Sequence, residues 1–203
     1  MQNNLYLRGD DMDSFARLQQ AIREFCHIPD ELIQQLFSIC SEHIIRKGEF
    51  FIRAGDISKY MGLNLDGLFR IYYVDENGND FTKAFSETGR FLISYSAIVQ
   101  KRPSYFNIEA LQDSSILKFD YGLFDKMIQE DIRWYPFIFK LLESVYIMKE
   151  LREKSFLLDD ASERYQEFRK RYAGVENKIK LYHVASFLGI TPEALSRIRK
   201  RKN

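Results

Sequence analysis

The chain has 203 residues, a length that is enough for one large domain or two small ones. It carries 30 basic and 29 acidic side chains and a formal net charge of +1. Its two cysteines, Cys26 and Cys40, fit no zinc or iron–sulfur spacing and are expected to be buried, reduced thiols. The N-terminus has no apolar secretion signal and no stretch approaches a membrane span, so we expect a cytoplasmic protein without a membrane partner.

The N-terminal part is predicted to be helical and then to change to strands. Apolar residues recur at helical spacing from Ser14 to about Ser41, with a break at Pro29. From His43 onwards, glycines separate short runs that are rich in Ile, Phe, Tyr and Val. The strands predicted from these runs cover residues 49–53, 67–74, 80–85 and 107–111. Asn77-Gly78 is a strong hairpin signal between two of them, and the pattern predicts a small β-barrel or jelly roll that ends near Phe119.

A long helix is predicted from about Tyr135 to Leu157. Its apolar residues step by three and four and form a candidate dimer seam, which Trp134 extends upstream: Ile138, Leu141, Val145 and Met148. A buried core helix would show the same stripe, so both interpretations remain open on the stripe alone. A second feature of the chain, the motif at residues 181–200, favours the homodimer.

The segment 158–162 is predicted to be a boundary with a hinge at Asp159-Asp160. Asp160 or Ser162 can cap the following helix, which is expected over residues 163–172. From Asp160 to the C-terminus there are 11 Lys and Arg against 5 Asp and Glu, whereas the remainder of the chain is net acidic. This asymmetry is typical of a nucleic-acid binder with a separate sensing part.

Residues 181–200 predict two short helices joined by a tight turn. Ala185 is small enough for a close helix crossing, Gly189 can adopt the positive φ of a sharp turn, Thr191 is a good N-cap and Pro192 suits the first helical position. The apolar contacts between the two helices would be Val184, Leu188, Ile190, Leu195 and Ile198. The pattern is that of a helix-turn-helix, and the alternative is an amphipathic hairpin with a solvated face.

The second of these helices carries side chains suited to reading bases. Glu193, Ser196 and Arg197 share one face, where Arg197 can donate to guanine and Glu193 can accept from cytosine. The basic end that follows, with Arg199 and Lys200, suits phosphate contacts. Thr191 and His183 complete the predicted DNA-binding set, in which His183 would touch phosphate.

This arrangement resembles the Crp/Fnr family of bacterial transcription regulators over nearly the whole chain. Gly55-Asp56 and Gly67-Leu-Phe-Arg70 look like corners of its β-roll, and Glu193-Ala-Leu-Ser-Arg197 matches its Glu-x-x-Ser-Arg reading pattern. Segments 163–168 and 182–191 look most like the branch common in Bacteroidetes.

The resemblance implies an α+β fold in three parts: a cyclic-nucleotide-binding-like sensor (1–130), a dimerisation helix and hinge (131–158), and a helix-turn-helix domain (159–203). It also implies a homodimer that binds an inverted repeat in double-stranded DNA, with TTG- or TGA-like arms, and contacts RNA polymerase.

The effector pocket departs from the family pattern. A cyclic-nucleotide cassette needs a Gly-Glu pair and a later Arg-Ser/Thr-Ala, whereas this chain has Gly89-Arg90 and the segment 101–106 without that motif. The candidate pocket residues are Gly89, Arg90, Phe91, Arg102, Ser104 and Tyr105. An anion could be held by Arg90, Arg102 or Ser104, or the pocket is filled by Phe91, Tyr95 and Tyr105. We therefore expect no cofactor and no cyclic AMP regulation, and the effector, if there is one, is an unknown small molecule.

Two other classes of function were weighed against a DNA-binding regulator. An enzyme is not expected, because the sequence has no phosphate loop, nucleophile elbow or zinc pattern, and no metal site is predicted. The second class is a metabolite-sensing module that acts through protein contacts without sequence-specific DNA binding. The basic C-terminus and the Glu193, Ser196 and Arg197 face argue against it.

Overall fold

The computed structural model describes the backbone of residues 9–200 and the side chains of residues 14–200. Two helices come first, α1 (Gly9–Arg23) and α2 (Asp30–Ser38). Pro29 is the N-cap that precedes the second helix, and its missing N–H leaves no donor to satisfy there. Leu18, Ile22 and Ile33 are fully buried, so both helices turn one apolar face inward.

Eight antiparallel strands follow and form two four-stranded sheets. The strands are β1 (Ser41–Ile45), β2 (Phe50–Ile52), β3 (Tyr60–Asp66), β4 (Phe69–Val74), β5 (Asp80–Ser86), β6 (Phe91–Leu92), β7 (Asn107–Ala110) and β8 (Ser114–Asp120), with helix α3 (Tyr95–Gln100) between β6 and β7. The sheet orders are β1-β8-β3-β6 and β2-β7-β4-β5. We call residues 41–120 the β-roll. β5 is an edge strand of the second sheet.

Tight turns at glycine residues connect these strands. Gly78 has φ +81° in the β4–β5 hairpin, as the Asn77-Gly78 signal predicts. Gly67 has φ +131°, and a Cβ at this position would overlap the side chain of Ser114. Glycine is therefore required at position 67 both by the backbone conformation and by the close approach of β8.

Helices return after the β-roll. They are α4 (Tyr121–Glu130), a 3-10 turn (Ile132–Trp134), α5 (Tyr135–Leu158), α6 (Ala161–Arg171), a second 3-10 turn (Glu176–Lys178), α7 (Leu181–Leu188) and α8 (Pro192–Lys200). Asp160 caps α6 in a reciprocal capping box with Glu163, which explains the break after α5. We call residues 161–200 the C-terminal unit. Within residues 9–200, no helix is long and apolar enough to cross a membrane.

The buried side chains form three clusters. The first joins α1, α2, α4 and the start of α5 to the β3–β8 sheet, and Trp134 lies in it. The second lies between the two sheets of the β-roll. The third fills the C-terminal unit, but it also contains Leu68 and Phe85 of the β-roll. The C-terminal unit therefore shares its core with the β-roll.

The predicted α+β fold class with a β-roll is confirmed. The long helix and the α7–α8 pair occur at the predicted positions, and the strands at 49–53, 67–74, 80–85 and 107–111 correspond to β2, β4, β5 and β7. β1, β3, β6 and β8 lie within or at the limits of the strand-rich region predicted from His43 to about Phe119, but they are not among the runs named individually. β3 carries polar Asn64 in its interior and β8 begins with two serines, so neither shows a clean strand pattern, although both are largely buried.

Candidate nucleic-acid interface

The α7–α8 turn is fixed by backbone bonds and by close packing. Gly189 adopts the left-handed conformation with φ +67°, and the N–H of Ile190 donates to the carbonyl of Ala185 over 3.1 Å. The hydroxyl of Thr191 accepts from the N–H of Ala194, so Thr191 is the N-cap of α8. Val184 and Leu195 are completely buried between the helices. The angle between α7 and α8 is thus determined by local residues.

This packing turns the predicted reading face of α8 outward. Leu195 is buried inside, whereas Glu193 and Arg197 are exposed and Ser196 is half-buried. Hydrogen bonds from its own backbone N–H and from Thr191 lower the pKa of Glu193, so its carboxylate is ionised at neutral pH. An exposed carboxylate and guanidinium one helical turn apart can contact two base edges in a major groove.

Basic side chains surround this face. Arg199 and Lys200 are exposed in the last turn of α8, and the last turn of α6 carries Arg169, Lys170 and Arg171. Glu176 lies between them: its carboxylate accepts from the Tyr165 hydroxyl over 2.7 Å and is 3.5 Å and 3.8 Å from the Nε atoms of Arg199 and Arg169. Such a basic surface suits contacts with phosphates.

His183 does not lie on the exposed face of Glu193 and Arg197. It lies on the side of α7 that packs against the β-roll, half-buried near Arg70 and Asp80. Burial and the charge of Arg70 lower the pKa of His183 to about 4, so the ring is neutral at pH 7. The phosphate contact predicted for His183 therefore has no support in this arrangement.

A buried arginine on β4, missed by the sequence analysis, joins the two parts of the protein. Arg70 is only 2% exposed and donates to the Thr82 hydroxyl, to the Asp80 carboxylate and to the Ser186 hydroxyl of α7. Burial alone would raise the pKa of Asp80, but its hydrogen bond and ion pair with Arg70 lower it. An arginine inside an otherwise apolar strand was the sequence signal that could have revealed this cluster.

The predicted dimer seam on α5 divides into two halves. Trp134 was wrongly assigned to the interface, because it is completely buried in the N-terminal cluster with its ring 5.0 Å from that of Phe124. Ile138 and Leu141 also pack partly against that cluster. Val145 and Met148 are exposed, and Tyr146, Ile147 and Leu151 add to the same stretch of exposed apolar surface. Large exposed apolar side chains on α5 are therefore concentrated from Val145 to Leu151, and Tyr135 and Phe139 are further exposed residues near the start of the helix.

The six candidate effector residues do not form one pocket. Gly89 forms a turn, Arg90 forms an exposed ion pair with Glu24 over 3.0 Å, and Phe91 packs against Phe137. Arg102 and Tyr105 are exposed. Ser104 alone is buried, and its hydroxyl lies 2.9 Å from that of Ser94, a residue that the sequence analysis did not select.

Other side chains fill the interior of the β-roll. Phe69, Leu92 and Phe106 occupy the space between the sheets, whereas Tyr95 and Tyr105, which were expected there, are exposed. Lys83 covers the ring of Phe106, with its Nζ 4.0 Å from the ring centre. Burial and the nearby charge of Lys149 lower the pKa of Lys83 to about 8. Phe91, Tyr95 and Tyr105, the residues named for a filled pocket, are not members of the buried cluster between the sheets.

Comparisons with known proteins identify the type of the β-roll. Residues 42–131 match the family model of the cyclic nucleotide-binding domain. FixK2 from Bradyrhizobium japonicum is similar in structure with a TM-score of 0.69 and 19% identity, covering 80% of this chain and 84% of that one. The c-di-GMP responsive global regulator CLP from Xanthomonas campestris has a TM-score of 0.67 and 12% identity, covering 85% and 91%.

The catabolite activator protein of Thermus thermophilus is a third similar structure, with a TM-score of 0.53 and 18% identity, and it covers 89% of this chain and 85% of that one. A search among curated proteins found no matching relative. At these identities the structural likeness establishes the fold alone. The chain thus contains a cyclic-nucleotide-binding-type domain, and its structural neighbours include a global regulator and a catabolite activator protein.

Proposed function

We propose that this protein is a transcription regulator that reads an inverted repeat in double-stranded DNA as a homodimer. The observation that carries the proposal is the exposed Glu193 and Arg197 face on α8, which the capped turn at Gly189 and Thr191 holds in place. The basic last turns of α6 and α8 would contact phosphates on either side of this face. Contact with RNA polymerase, a cytoplasmic location and the likeness to the Bacteroidetes branch belong to the same proposal.

The exposed apolar side chains of α5 between Val145 and Leu151 support the homodimer. Val145, Met148 and Leu151 recur at helical spacing on a part of α5 that carries large exposed apolar side chains. Pairing of two such helices would remove this surface from water and place two α8 helices on one duplex. A two-fold dimer of this kind recognises half-sites about one helical turn, roughly 34 Å, apart.

We further propose that DNA reading does not depend on a cyclic nucleotide. A cyclic phosphate carries a negative charge, and its recognition in a buried site requires a cation or several donors. At the β6–α3 corner the buried polar side chains are the hydroxyls of Ser94 and Ser104, which already bond to each other. Phe106 fills the adjacent interior.

The test is a comparison of two arginine variants on two duplexes. A duplex recovered by selection from a random library and a shuffled duplex of equal length are titrated at a stated salt concentration, because phosphate contacts alone can mimic affinity. Arg197→Ala should remove the preference for the selected duplex by about 1–3 kcal/mol and retain weak binding to both. Arg199→Ala, at an exposed arginine in the last turn of α8 that is assigned to phosphate contacts, is the control and should change both affinities alike. Equal loss on both duplexes with Arg197→Ala would contradict base reading by this residue.

A further inference from the structure

The C-terminal unit covers an open edge of the β-roll. β5 is the last strand of the sheet β2-β7-β4-β5, so its outer backbone groups have no strand partner. The N–H of Thr82 donates to the hydroxyl of Ser186 over 2.9 Å, and that hydroxyl donates to the carbonyl of Asp80 over 3.0 Å. One serine of α7 thus satisfies a donor and an acceptor on the edge strand.

Arg152 of α5 makes a second connection at the same place. Its Nη2 atom donates to the carbonyl of Thr82 over 3.0 Å and to the carbonyl of Phe187 over 2.9 Å. The guanidinium also stacks 4.1 Å from the ring centre of Phe187 and 4.7 Å from that of Phe156. Arg152 therefore joins the edge strand, the long helix and α7 in one set of contacts.

Apolar packing surrounds these polar contacts. Phe85 of β5 lies 5.5 Å from the ring of Tyr172 and 5.9 Å from that of Phe187, and its N–H donates to the Tyr172 hydroxyl. Undocking of the C-terminal unit would expose this cluster and leave backbone groups of Thr82 without their partners. The contact between the two parts thus resembles a protein core more than a hinged domain interface.

We propose that Arg70, Asp80, Thr82, Arg152 and Ser186 form a lock that holds the C-terminal unit on β5, and that the locked arrangement is the one that reads DNA. The inference rests on the proposed function. It follows because Glu193 and Arg197 are exposed while the unit is docked, whereas the face of α7 that carries Ser186 is used by the β-roll. The unit then needs no swing at Asp159-Asp160 in order to bind its site.

A reversible cross-link tests both halves of the proposal. The side-chain oxygens of Thr82 and Ser186 are 3.1 Å apart, so cysteines at both positions, Thr82→Cys with Ser186→Cys, should form a disulfide under mild oxidation. The controls are Thr82→Cys alone and Ser186→Cys alone. Each keeps Cys26 and Cys40 but cannot form this bond. The disulfide is scored by mass spectrometry, and the affinity for the selected duplex is measured before and after reduction.

We expect the cross-link to form, because its geometry fits the native structure. The dissociation constant of the oxidised protein for the selected duplex should lie within about twofold of that of the reduced protein, since the bond holds the unit in the position that reads DNA. Failure of the disulfide to form would overturn the docking. The cross-link could also form and weaken the affinity for the selected duplex by about tenfold or more, with recovery after reduction. That result would show that the docked state does not read DNA. If the reduced and wild-type proteins select no duplex, the proposed function fails instead, while the yield of the cross-link still tests the docking.

Unfolding gives an independent measure of the lock. Trp134, the single tryptophan of the chain, reports on the N-terminal cluster by fluorescence, and circular dichroism at the helical band reports on all helices. The two transitions should coincide in the wild type and separate in Arg152→Met, because α5 then no longer bridges the carbonyls of Thr82 on β5 and Phe187 on α7. Coinciding transitions in Arg152→Met would contradict the role of Arg152 as a connecting residue.

Discussion

Replacement of Arg70 by methionine should destabilise the protein far more than loss of an ordinary surface ion pair. Methionine keeps much of the length of the side chain but removes every bond to Thr82, Asp80 and Ser186. The Asp80 carboxylate, only 22% exposed, then lacks its cation. Breaking a buried pair by removing one partner costs about 3–5 kcal/mol.

This cost is a large part of a typical total stability of about 5–15 kcal/mol. For a chain of this size, each kcal/mol lowers the melting temperature by roughly 2–4 °C, so Arg70→Met should lower it by about 6–20 °C. The assay is urea unfolding followed by circular dichroism, together with a thermal scan. The free energy of unfolding is compared with that of the wild type under identical conditions.

Arg46 provides a matched control within the same chain. It forms an ion pair with Asp113 over 2.8 Å, but the two side chains are 68% and 59% exposed. Arg46→Met should therefore change the stability by no more than about 1 kcal/mol. Addition of Asp80→Asn to Arg70→Met should recover part of the loss, since the unpaired charge is removed. Similar small losses for Arg70→Met and Arg46→Met would refute the argument from burial.

Three further predictions concern the interface, a turn and the pH dependence. Val145→Glu should yield monomers by light scattering and weaken binding to the selected duplex, and an unchanged dimer would remove α5 from the interface. Gly67→Ala should lower the urea midpoint of unfolding more than Gly78→Ala does. Both positions have positive φ, but only a Cβ at position 67 would clash with a neighbouring strand. Equal decreases of the midpoint in the two variants would contradict this reason. Because the pKa of His183 is lowered from 6.5 to about 4, the unfolded chain binds a proton first as the pH falls. The free energy of unfolding should thus decrease between about pH 6.5 and 4, and His183→Gln should reduce that decrease. An identical pH profile in the variant would refute the assignment of this decrease to His183.

The sequence predicted features whose causes are local. The turn between α7 and α8 depends on Gly189, Thr191 and Pro192, which are close neighbours, and the structure places all three as expected. Trp134 was assigned wrongly because a helix that packs on its own core and a helix that pairs with a second copy bury the same stripe. Periodicity alone cannot separate these two cases.

The lock on β5 could not be predicted from the sequence, since it depends on contacts between distant residues. Arg70 and Ser186 are 116 positions apart, and no local pattern connects them. The side chains between the two sheets of the β-roll also differ from those that the sequence suggested for a filled pocket. Tyr105 and Phe106 are neighbours in the bend before β7, and only the tertiary fold decides which of them enters the interior.

Selection of bound DNA from a random duplex library tests the central claim most directly. Purified protein is used near physiological salt and without added ligand, and the recovered sequences are examined for symmetry. The proposed function predicts a two-fold-symmetric motif whose half-sites lie about one helical turn apart. Absence of any enriched motif, both in this selection and in repeats with cyclic nucleotides or cell extract, would contradict a sequence-specific regulator. It would favour a sensing module that acts through protein contacts.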